Sequence, residues 1–342
     1  MISRRALLLA ATPPFRWRMP DETTPHKRTW MTFGAHQNIW GARLIAEVQR
    51  ELATIAETIA RFEPVSMLVE PTVRKEARQL LPATVEQIAA PLDDLWARDT
   101  APVFVFGAAK NKAAVDLNFN GWGEKQPHDR DAEVASFIAR RAGAARLQSD
   151  LVLEGGGIEV DGQGTAVIAE SCVLNDNRNP GVTKADFERA IRPLLGLEKI
   201  IWLPGVKGQD ITDGHTDFYA RFAAPGVVLC GDDPADPITK QHLKILKAAT
   251  DAAGRALEVV PLKAPTKPRN RFQSKDLAVG YVGFYACNGA IIAQEFGDAK
   301  ADTAALATLR KLFPSRQIIQ LNCDALAAGG GTVHCVTQQE PA

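Results

Sequence analysis

Four short segments of the sequence place a reactive side chain beside glycine or charged residues. They carry Asp99, Glu154, His215 and Cys335 within WARDTAP, LEGGGIE, DGHTDF and TVHCV. A thiol becomes nucleophilic when a base or a cation raises its thiolate fraction, and a histidine transfers protons near neutral pH. A carboxylate orients that histidine and selects its tautomer. These residue types predict Cys335 as a nucleophile, His215 as the acid/base and Glu154 as the orienting carboxylate.

Each candidate also has a structural alternative when it is considered alone. A single cysteine is more often a core thiol, and a single histidine is more often a satisfied structural side chain. Two further carboxylates, Asp99 and Asp217, remain in the proposed cluster. A hydrolase of neutral esters or amides has little use for them, whereas paired carboxylates match the forked donors of a guanidinium. The combination predicts a site for an arginine-like group.

A metal site is the weaker interpretation of the same segments. Its ligands would be His215 and Asp217, with His334 and Cys335, but the sequence has no second histidine at i+4 and no cysteine pair. LEGGGIE also lacks the lysine of a phosphate-binding loop. We expect its glycines to form a tight turn that presents the glutamate, and we predict no metal and no cofactor.

Three aromatic side chains near these segments have roles that the sequence leaves open. If the segment around Cys335 were a strand, His334 would point to its opposite face, so packing is the expected role of His334. Trp96 and Trp122 either line an apolar slot beside the site or fill the core.

The charge balance of the 342 residues limits the classes of partner. Forty Lys and Arg residues offset 40 Asp and Glu residues, so the formal net charge is zero. Nucleic acids and anionic membranes attract clustered positive charge, so neither is an expected partner. The hydrophobic fraction of 46% and the charged fraction of 23% are typical of a globular protein. A small, discrete ligand is the expected partner.

The N-terminal segment and the cysteines bear on location and redox state. Arg4 and Arg5 precede a short apolar stretch, as in a twin-arginine export signal, but no clear cleavage site follows. We expect residues 1–14 to be a short extension and the protein to be cytoplasmic, with export to the periplasm as the alternative. The five cysteines include no C-x-x-C pair, so we expect reduced thiols, with Cys172 among the buried and inert ones.

Apolar strand-like runs alternate with amphipathic helical segments along the chain. The predicted strands lie within residues 101–107, 164–170, 226–233 and 289–298. The predicted helices are Arg43 to Arg61, Asp131 to Ala142, Lys184 to Leu195, Lys240 to Ala253 and Asp302 to Leu312. The alternation predicts an α/β fold.

The spacing of the chemical residues suggests a repeat. Asp99, Glu154 and His215 are separated by 55 and 61 residues, and Cys335 lies 120 residues beyond His215. A similar segment, residues 280–298, lies in the middle of that longer interval. Five units of roughly 60 to 70 residues would account for the chain and favour one repetitive domain over two unrelated ones. The units share a pattern but almost no identical residues, so chance similarity is the alternative.

Longer motifs are spread from about residue 15 to residue 341. They are FRWRMPDE, TWMTF, WARDTAP, NFNGWGEK, LEGGGIEVDGQGT, LNDNRNP, GHTDFYARF, GFYACNGAIIAQEFGD and GGGTVHCVTQQEP. In these motifs the sequence resembles the agmatine deiminase and bacterial peptidylarginine deiminase family of guanidine-modifying enzymes. The resemblance implies a pentein α/β propeller, with five β-rich units around a central active-site channel, formed by residues 15–342 as one catalytic domain.

The resemblance also implies a role for each matched residue. Cys335 would be the nucleophile, His215 the acid/base and Glu154 its orienting carboxylate. Asp99 and Asp217 would clamp the guanidinium. Trp96 and Trp122 are predicted substrate contacts on their residue type alone, if they line the slot described above. Agmatine would give N-carbamoylputrescine and ammonia through a covalent thiouronium, without a cofactor and in the direction of putrescine biosynthesis. A homo-oligomer is left open.

One position departs from the agmatine-specific pattern of the family. An acidic residue that holds the distal amine stands there four positions before the histidine of GHTD, and this sequence has Ile211. Asp210 and Asp213 are the neighbouring candidates for that role. The alternative activity is therefore deimination of arginine residues in peptides. A polyamine- or arginine-binding protein without catalysis is the non-enzymatic alternative.

Overall fold

The computed structural model of the protein describes residues 16–107 and 111–342. Its strands are β1 (Trp17–Arg18), β2 (His26–Phe33), β3 (Val65–Val69), β4 (Val85–Ala89), β5 (Val103–Gly107), β6 (Lys112–Asp116), β7 (Ala145–Gln148), β8 (Ile158–Val160), β9 (Thr165–Ala169), β10 (Lys199–Leu203), β11 (Ala220–Ala224), β12 (Val227–Asp232), β13 (Glu258–Lys263), β14 (Tyr285–Cys287), β15 (Ala290–Glu295), β16 (Gln317–Asn322) and β17 (Gln338–Pro341). Its helices are α1 (Gln37–Ile59), α2 (Arg74–Leu80), α3 (Ala97–Thr100), α4 (Gly121–Glu124), α5 (Val134–Ala142), α6 (Glu170–Val173), α7 (Lys184–Leu195), α8 (Ile238–Ala248), α9 (Ala299–Leu312) and α10 (Asp324–Ala328).

The sheets of the described residues share one connectivity. They are ordered β1-β5-β6-β7, β10-β9-β8, β11-β12-β13, β14-β15-β16 and β17-β2-β3-β4. In each sheet two strands pair antiparallel, as β11 and β12 do. The second of them also pairs parallel with a third strand, as β12 does with β13, and a helix precedes that third strand. The helix is needed because parallel neighbours require a crossover connection. This repeated β-β-α-β pattern matches the five units that the residue spacing predicts.

One sheet is formed by segments from both ends of the described chain. β17 pairs antiparallel with β2, so that Gln338 lies opposite Trp30 and Gln339 opposite Thr29. The indole of Trp30 donates a hydrogen bond to the buried carboxylate of Glu340 at 3.0 Å. The turn that precedes β17 is thereby anchored to the N-terminal sheet.

The helix and strand predictions agree with the structure, with shifts at several ends. The predicted strands correspond to β5, β9, β12 and β15. α7 has the predicted bounds because Thr183 and Asp186 form a capping box and Gly196 ends the helix in the left-handed conformation. α1 begins at Gln37 rather than Arg43, although Gly41 interrupts its helical geometry.

Two other helical predictions extend beyond the helix that forms. α8 ends at Ala248 rather than Ala253, because the chain turns back and residues 250 and 256 form an isolated bridge. The segment from Asp131 to Ala142 begins with a 3₁₀ turn over 131–133, and α5 covers the remainder.

Part of the N-terminal prediction falls outside the described residues. Arg4 and Arg5 belong to that part, so the export signal and the 1–14 extension stay predictions. Within the part of the chain that the structure describes, no helix is both long and apolar enough to cross a bilayer.

Candidate active site

The predicted chemical residues occupy equivalent places in four of the repeated units. Each lies in or beside a short turn that leads into the antiparallel strand of its sheet. These turns are α3 (with Asp99), Gly155–Gly157 (after Glu154), Thr216–Phe218 (after His215 and with Asp217) and His334–Val336 (with Cys335). The repeated connectivity therefore explains how residues far apart in sequence reach one site.

Gly156 shows how closely three of these turns approach one another. A side chain at this position would lie 2.6 Å from His215 Nδ1, 3.0 Å from Asp99 Oδ1 and 3.1 Å from Asp217 Oδ2. The backbone N–H of Gly156 donates to Asp99 Oδ1 at 3.1 Å. Glycine is required because the functional groups occupy the space that a Cβ atom would take. The LEGGGIE segment thus packs directly against the site.

His215 is buried between two carboxylates. Its Nε2 lies 3.3 Å from Glu154 Oε2, and its Nδ1 lies 3.7 Å from Asp99 Oδ1. Burial opposes the charged form, but the negative charge of Asp99 and the hydrogen bonds to Cys172 and Glu154 raise the pKa of His215 well above its ordinary value. The imidazole therefore carries both protons near neutral pH and can give one to a leaving group.

Glu154 is held by two residues that the sequence analysis did not place in the site. Arg178 Nε donates to the two Glu154 oxygens at 2.8 and 3.1 Å, and Cys172 Sγ donates to Oε2 at 3.3 Å. Burial opposes ionisation, but the hydrogen bond from His215 and the charge of Arg178 lower the pKa of Glu154 to about 2. Glu154 is thus a permanent carboxylate partner of the histidine.

Cys172 is buried, as predicted, and it also lies beside His215 and Glu154. Burial and the charge of Glu154 raise the pKa of its thiol to about 11. Glu154, Cys172 and His215 offer three potential metal-ligating atoms within 4.8 Å of one another. The Arg178 guanidinium already binds Glu154 there and opposes a second cation. This set therefore fits a hydrogen-bonded group better than a metal site.

Asp99 receives its hydrogen bonds from neutral donors. The indole of Trp122 donates to Oδ2 at 2.9 Å, while the Gly156 N–H donates to Oδ1. Burial raises the pKa of Asp99 to about 6. The charge of His215 lowers this pKa, and the charge of Glu154 raises it. A cation beside Asp99 would favour its ionised form.

The prediction that His334 packs away from the site is wrong. Residues 334–336 form a 3₁₀ turn, so the alternation of a strand does not apply. His334 Nδ1 lies 2.6 Å from Asp217 Oδ2. Burial opposes ionisation of Asp217, but the hydrogen bond and charge of His334 keep its pKa below the ordinary value. The other oxygen, Oδ1, is buried and has no hydrogen-bond partner among the described residues.

Cys335 is the thiol beside this carboxylate. Its Sγ lies 3.9 Å from Asp217 Oδ2 and 3.4 Å from both the backbone nitrogen and the hydroxyl of Thr332. Burial, followed by the charges of Asp217 and Asp99, raises the pKa of Cys335 to about 12. The free protein therefore holds a thiol at neutral pH, and a bound cation would favour the thiolate.

A cavity of about 310 Å³ opens above these side chains. Cys335 and His215, which line it, are 6% and 1% exposed, whereas Ile39 and Ile211 are 36% and 40% exposed. We call the buried end, with Asp99, the floor, and the exposed end the mouth. The aromatic walls between them are Trp40, Trp96, Trp122 and Phe218. Walls of this kind fit a hydrocarbon segment of a ligand.

Two of the tryptophan walls depend on the glycines that precede Cys335. A Cβ atom at Gly329 would lie 2.2 Å from Trp40, and one at Gly331 would lie 2.0 Å from Trp96. Both indoles donate to Asp94, at 2.7 and 3.0 Å. Trp96 therefore serves both proposed roles, because it lines the cavity and belongs to the same buried apolar cluster as Trp122.

The mouth lacks the acid that the family pattern places at residue 211. Asp213 does not line the cavity, because Lys125 and Arg178 bind its Oδ2 at 2.7 and 2.8 Å. Asp210 accepts the Thr212 N–H at 2.7 Å and lines a neighbouring cavity instead.

Asp276 supplies a different carboxylate at the mouth. It is exposed and lines the cavity. Its backbone N–H donates to the Ser274 hydroxyl at 3.1 Å, and its carboxylate accepts no hydrogen bond from the described residues. This acid is therefore available to a cationic ligand group.

Comparisons with known proteins agree on one family. The family profile of Porphyromonas-type peptidyl-arginine deiminases matches residues 18–341. The chain is 37% identical to an agmatine deiminase of Pseudomonas aeruginosa over 358 residues, which cover 95% of this chain and 96% of that protein. It is 34% identical to an agmatine deiminase of Medicago truncatula over 373 residues, with coverages of 98% and 99%. The solved agmatine deiminase of Enterococcus faecalis superposes with a TM-score of 0.88 at 30% identity, covering 95% and 96% of the two chains.

Proposed function

The chain belongs to the family of Porphyromonas-type peptidyl-arginine deiminases, and on this premise we propose that it hydrolyses agmatine to N-carbamoylputrescine and ammonia. One observation carries the proposal. His215, Asp99 and Asp217 approach a single point beside Gly156, and Cys335 lines a cavity together with His215 and Asp99. A thiol, an imidazolium and two carboxylates match a guanidinium that must be held, attacked and protonated. Relatives named as agmatine deiminases support the choice of substrate.

Binding of the guanidinium prepares the nucleophile. The free Oδ1 of Asp217 and the carboxylate of Asp99 accept guanidinium N–H groups in charge-assisted hydrogen bonds. The added positive charge offsets the two carboxylates that raise the pKa of the Cys335 thiol. The thiol then releases its proton to solvent and becomes a thiolate next to the guanidinium carbon.

The first chemical step releases ammonia. The Cys335 sulfur forms a bond to the guanidinium carbon, and the adduct then breaks one carbon–nitrogen bond. The His215 imidazolium gives its proton to the departing amine, which leaves as ammonia. Glu154 keeps the histidine oriented throughout, and a thiouronium remains on Cys335.

The second step releases the ureido product. A water molecule attacks the thiouronium carbon and gives a proton to the now neutral His215. The carbon–sulfur bond breaks as the hydroxyl proton of the adduct passes to the departing sulfur. Cys335 is again a thiol and His215 is again protonated, so the enzyme returns to its starting state. Division into two steps through a covalent intermediate replaces one difficult displacement by two easier ones.

The mouth favours agmatine over an arginine at the C-terminus of a peptide. The tryptophan walls fit the tetramethylene chain, and the free carboxylate of Asp276 would attract the terminal ammonium. A C-terminal arginine would bring its own carboxylate toward Asp276, and like charges repel. The acid missing at Ile211 is thereby replaced by one from a different loop.

We also propose that the five sheets adopt the pentein propeller arrangement, with the site in its central channel, and that residues 15–342 form one domain. The shared connectivity of the sheets supports this arrangement. The equivalent positions of the chemical residues in four units support it as well.

A substrate panel tests the proposed function. The purified protein is incubated with agmatine, free arginine and a peptide with C-terminal arginine, and ammonia and ureido products are quantified. We expect agmatine to give the highest kcat/KM, and putrescine, which lacks the guanidinium, to give no ammonia. Faster turnover of the peptide than of agmatine would make the enzyme a peptidylarginine deiminase, and binding of agmatine without any product would overturn catalysis altogether.

A further inference from the structure

The buried imidazole of His334 bridges two carboxylates. Its Nδ1 lies 2.6 Å from Asp217 Oδ2, and its Nε2 lies 2.9 Å from Glu22 Oε2. All three side chains are less than a tenth exposed. Ionised carboxylates are acceptors without a proton to donate, so both ring nitrogens must act as donors. Each ring nitrogen therefore has its own carboxylate partner, Asp217 on one side and Glu22 on the other.

Glu22 is ionised because of the cations around it. Arg98 donates to Oε2 at 2.9 Å, and Arg221 donates to Oε1 at 2.8 Å. The backbone N–H of Ala286 donates to Oε1 as well, at 2.8 Å. Burial opposes this charge, yet the charges of Arg221, His334 and Arg98 keep the pKa of Glu22 well below its ordinary value. The far side of the His334 ring is thus fixed by a buried network that does not touch the cavity.

The near side of the ring determines what Asp217 can offer a ligand. His334 occupies Oδ2, and Oδ1 stays buried without a partner among the described residues. An unpaired buried carboxylate oxygen is costly, which makes it a strong acceptor for a cationic donor that enters the site.

We propose that His334 is a positioning residue for substrate binding: its Nδ1–H fixes Asp217 so that the free Oδ1 faces the guanidinium. The inference rests on the proposed function and names a residue that acts through Asp217 without touching the substrate. It assigns a specific purpose to the histidine that immediately precedes the nucleophile.

The backbone around His334 is held independently of its ring, so the ring can be replaced separately. The His334 N–H donates to the Gly283 carbonyl at 3.1 Å. Its carbonyl accepts hydrogen bonds from the Thr337 hydroxyl at 3.1 Å and from Arg98 Nε at 3.4 Å. These contacts stay available in variants, so the turn that carries Cys335 is expected to keep its conformation.

A pair of amide substitutions separates the two sides of the ring. In His334→Asn the side-chain amide reaches the place of Nδ1 and can donate to Asp217. In His334→Gln the amide reaches toward the place of Nε2 and Glu22. Both remove the same imidazole ring, so each is the matched control for the other.

The experiment measures KM and kcat for agmatine together with the melting temperature of each variant. We expect KM to rise roughly tenfold or more in His334→Gln, the size of a lost charge-assisted hydrogen bond, and less than about threefold in His334→Asn. The change should be in KM rather than kcat, because Asp217 holds the guanidinium in the ground state and in the transition state.

Several results would overturn the inference. Equal KM values in the two variants would do so, as would loss of kcat and melting temperature with an unchanged KM. If His334→Gln does not fold, His334→Asn is compared with the wild type, and a KM increase above about tenfold in a protein with native melting counts against it. A wild-type protein that turns over no guanidine overturns the proposed function together with this inference. If the wild type is active and the two His334 variants have equal KM values, the inference alone is overturned.

Discussion

The two ends of the cavity differ in how strongly the protein determines the position of its polar groups. At the floor, His215 and Asp99 are buried and bonded to defined partners. At the mouth, Ile211 and Asp276 are exposed, and the Asp276 carboxylate accepts no hydrogen bond from the described residues. Under the proposed function, the floor binds the guanidinium and carries the chemistry, while the mouth selects which guanidine enters. Substitutions at the floor should change kcat, the protonation state of the site or guanidinium binding, whereas substitutions at the mouth should change KM alone.

The largest effect is expected from Cys335→Ala at the floor. Without a nucleophile no thiouronium forms, so kcat for agmatine should fall by at least about 10⁴-fold. Agmatine binding, measured by calorimetry, should stay within a few-fold of the KM of the wild type, because both clamp carboxylates are retained. The substitution would then change kcat and leave agmatine binding nearly unaltered.

Cys230→Ala is the matched control for this variant, because it removes a buried thiol outside the cavity lining. It should retain full turnover after correction for any loss of folded protein. Equal turnover in Cys335→Ala and Cys230→Ala would remove Cys335 from the mechanism.

A smaller effect is expected from the titration of Asp99. Its pKa of about 6 means that the carboxyl becomes neutral as the pH falls through 6, while above this value it is an anion that pairs with the guanidinium. Agmatine binding to Cys335→Ala should therefore weaken below pH 6, by up to about tenfold per pH unit. The alanine background removes the thiol titration from the measurement, and calorimetry from pH 5 to 7.5 gives the Kd profile.

Asp99→Asn in the same background tests the assignment. The asparagine variant should bind more weakly at pH 7.5 and should lose the inflection near pH 6. If the inflection persists in this variant, another group at the floor is responsible for it.

The smallest effect is expected from Asp276→Asn at the mouth. An exposed ion pair is worth roughly 0.2–1 kcal/mol, so KM for agmatine should rise by up to about fivefold, with kcat unchanged. The difference from wild type should shrink in high salt, because exposed charges are screened.

Asp210→Asn is the control for Asp276→Asn, since Asp210 is also exposed but lines the neighbouring cavity. Its KM should match that of the wild type. A fall in kcat with unchanged KM in Asp276→Asn would contradict the division between floor and mouth.

The sequence predicted the residues that the structure brings together beside Gly156 and the cavity. Nucleophile, acid/base and clamp each require a particular side chain, and few residue types meet each requirement. The spacing of Asp99, Glu154 and His215 also indicated the repeated units, whose connectivity the structure shows directly. The ends of a helix were predictable where neighbouring residues in the sequence cap it, as Thr183 and Gly196 do.

The supporting residues were not predictable in the same way. Glu22 lies 313 positions before Cys335, and nothing nearby in its sequence indicates a bond to His334. Arg178 lies in the polar segment LNDNRNP, where an arginine that binds Glu154 cannot be told from one in solvent. Both residues fall within the family motifs, which was the available signal. His334 was wrongly oriented because a strand was assumed where a 3₁₀ turn forms.

The buried hydrogen-bonded chain through Arg221, Glu22, His334 and Asp217 has a consequence for how the enzyme unfolds on heating. Its members come from separate segments of the fold, so partial loosening of any one leaves an unpaired charge in a dry environment. Such a charge costs several kcal/mol, which disfavours intermediate states. Thermal inactivation should therefore coincide with global unfolding, so the enzyme would act as a single cooperative unit with no loosened form that still turns over substrate.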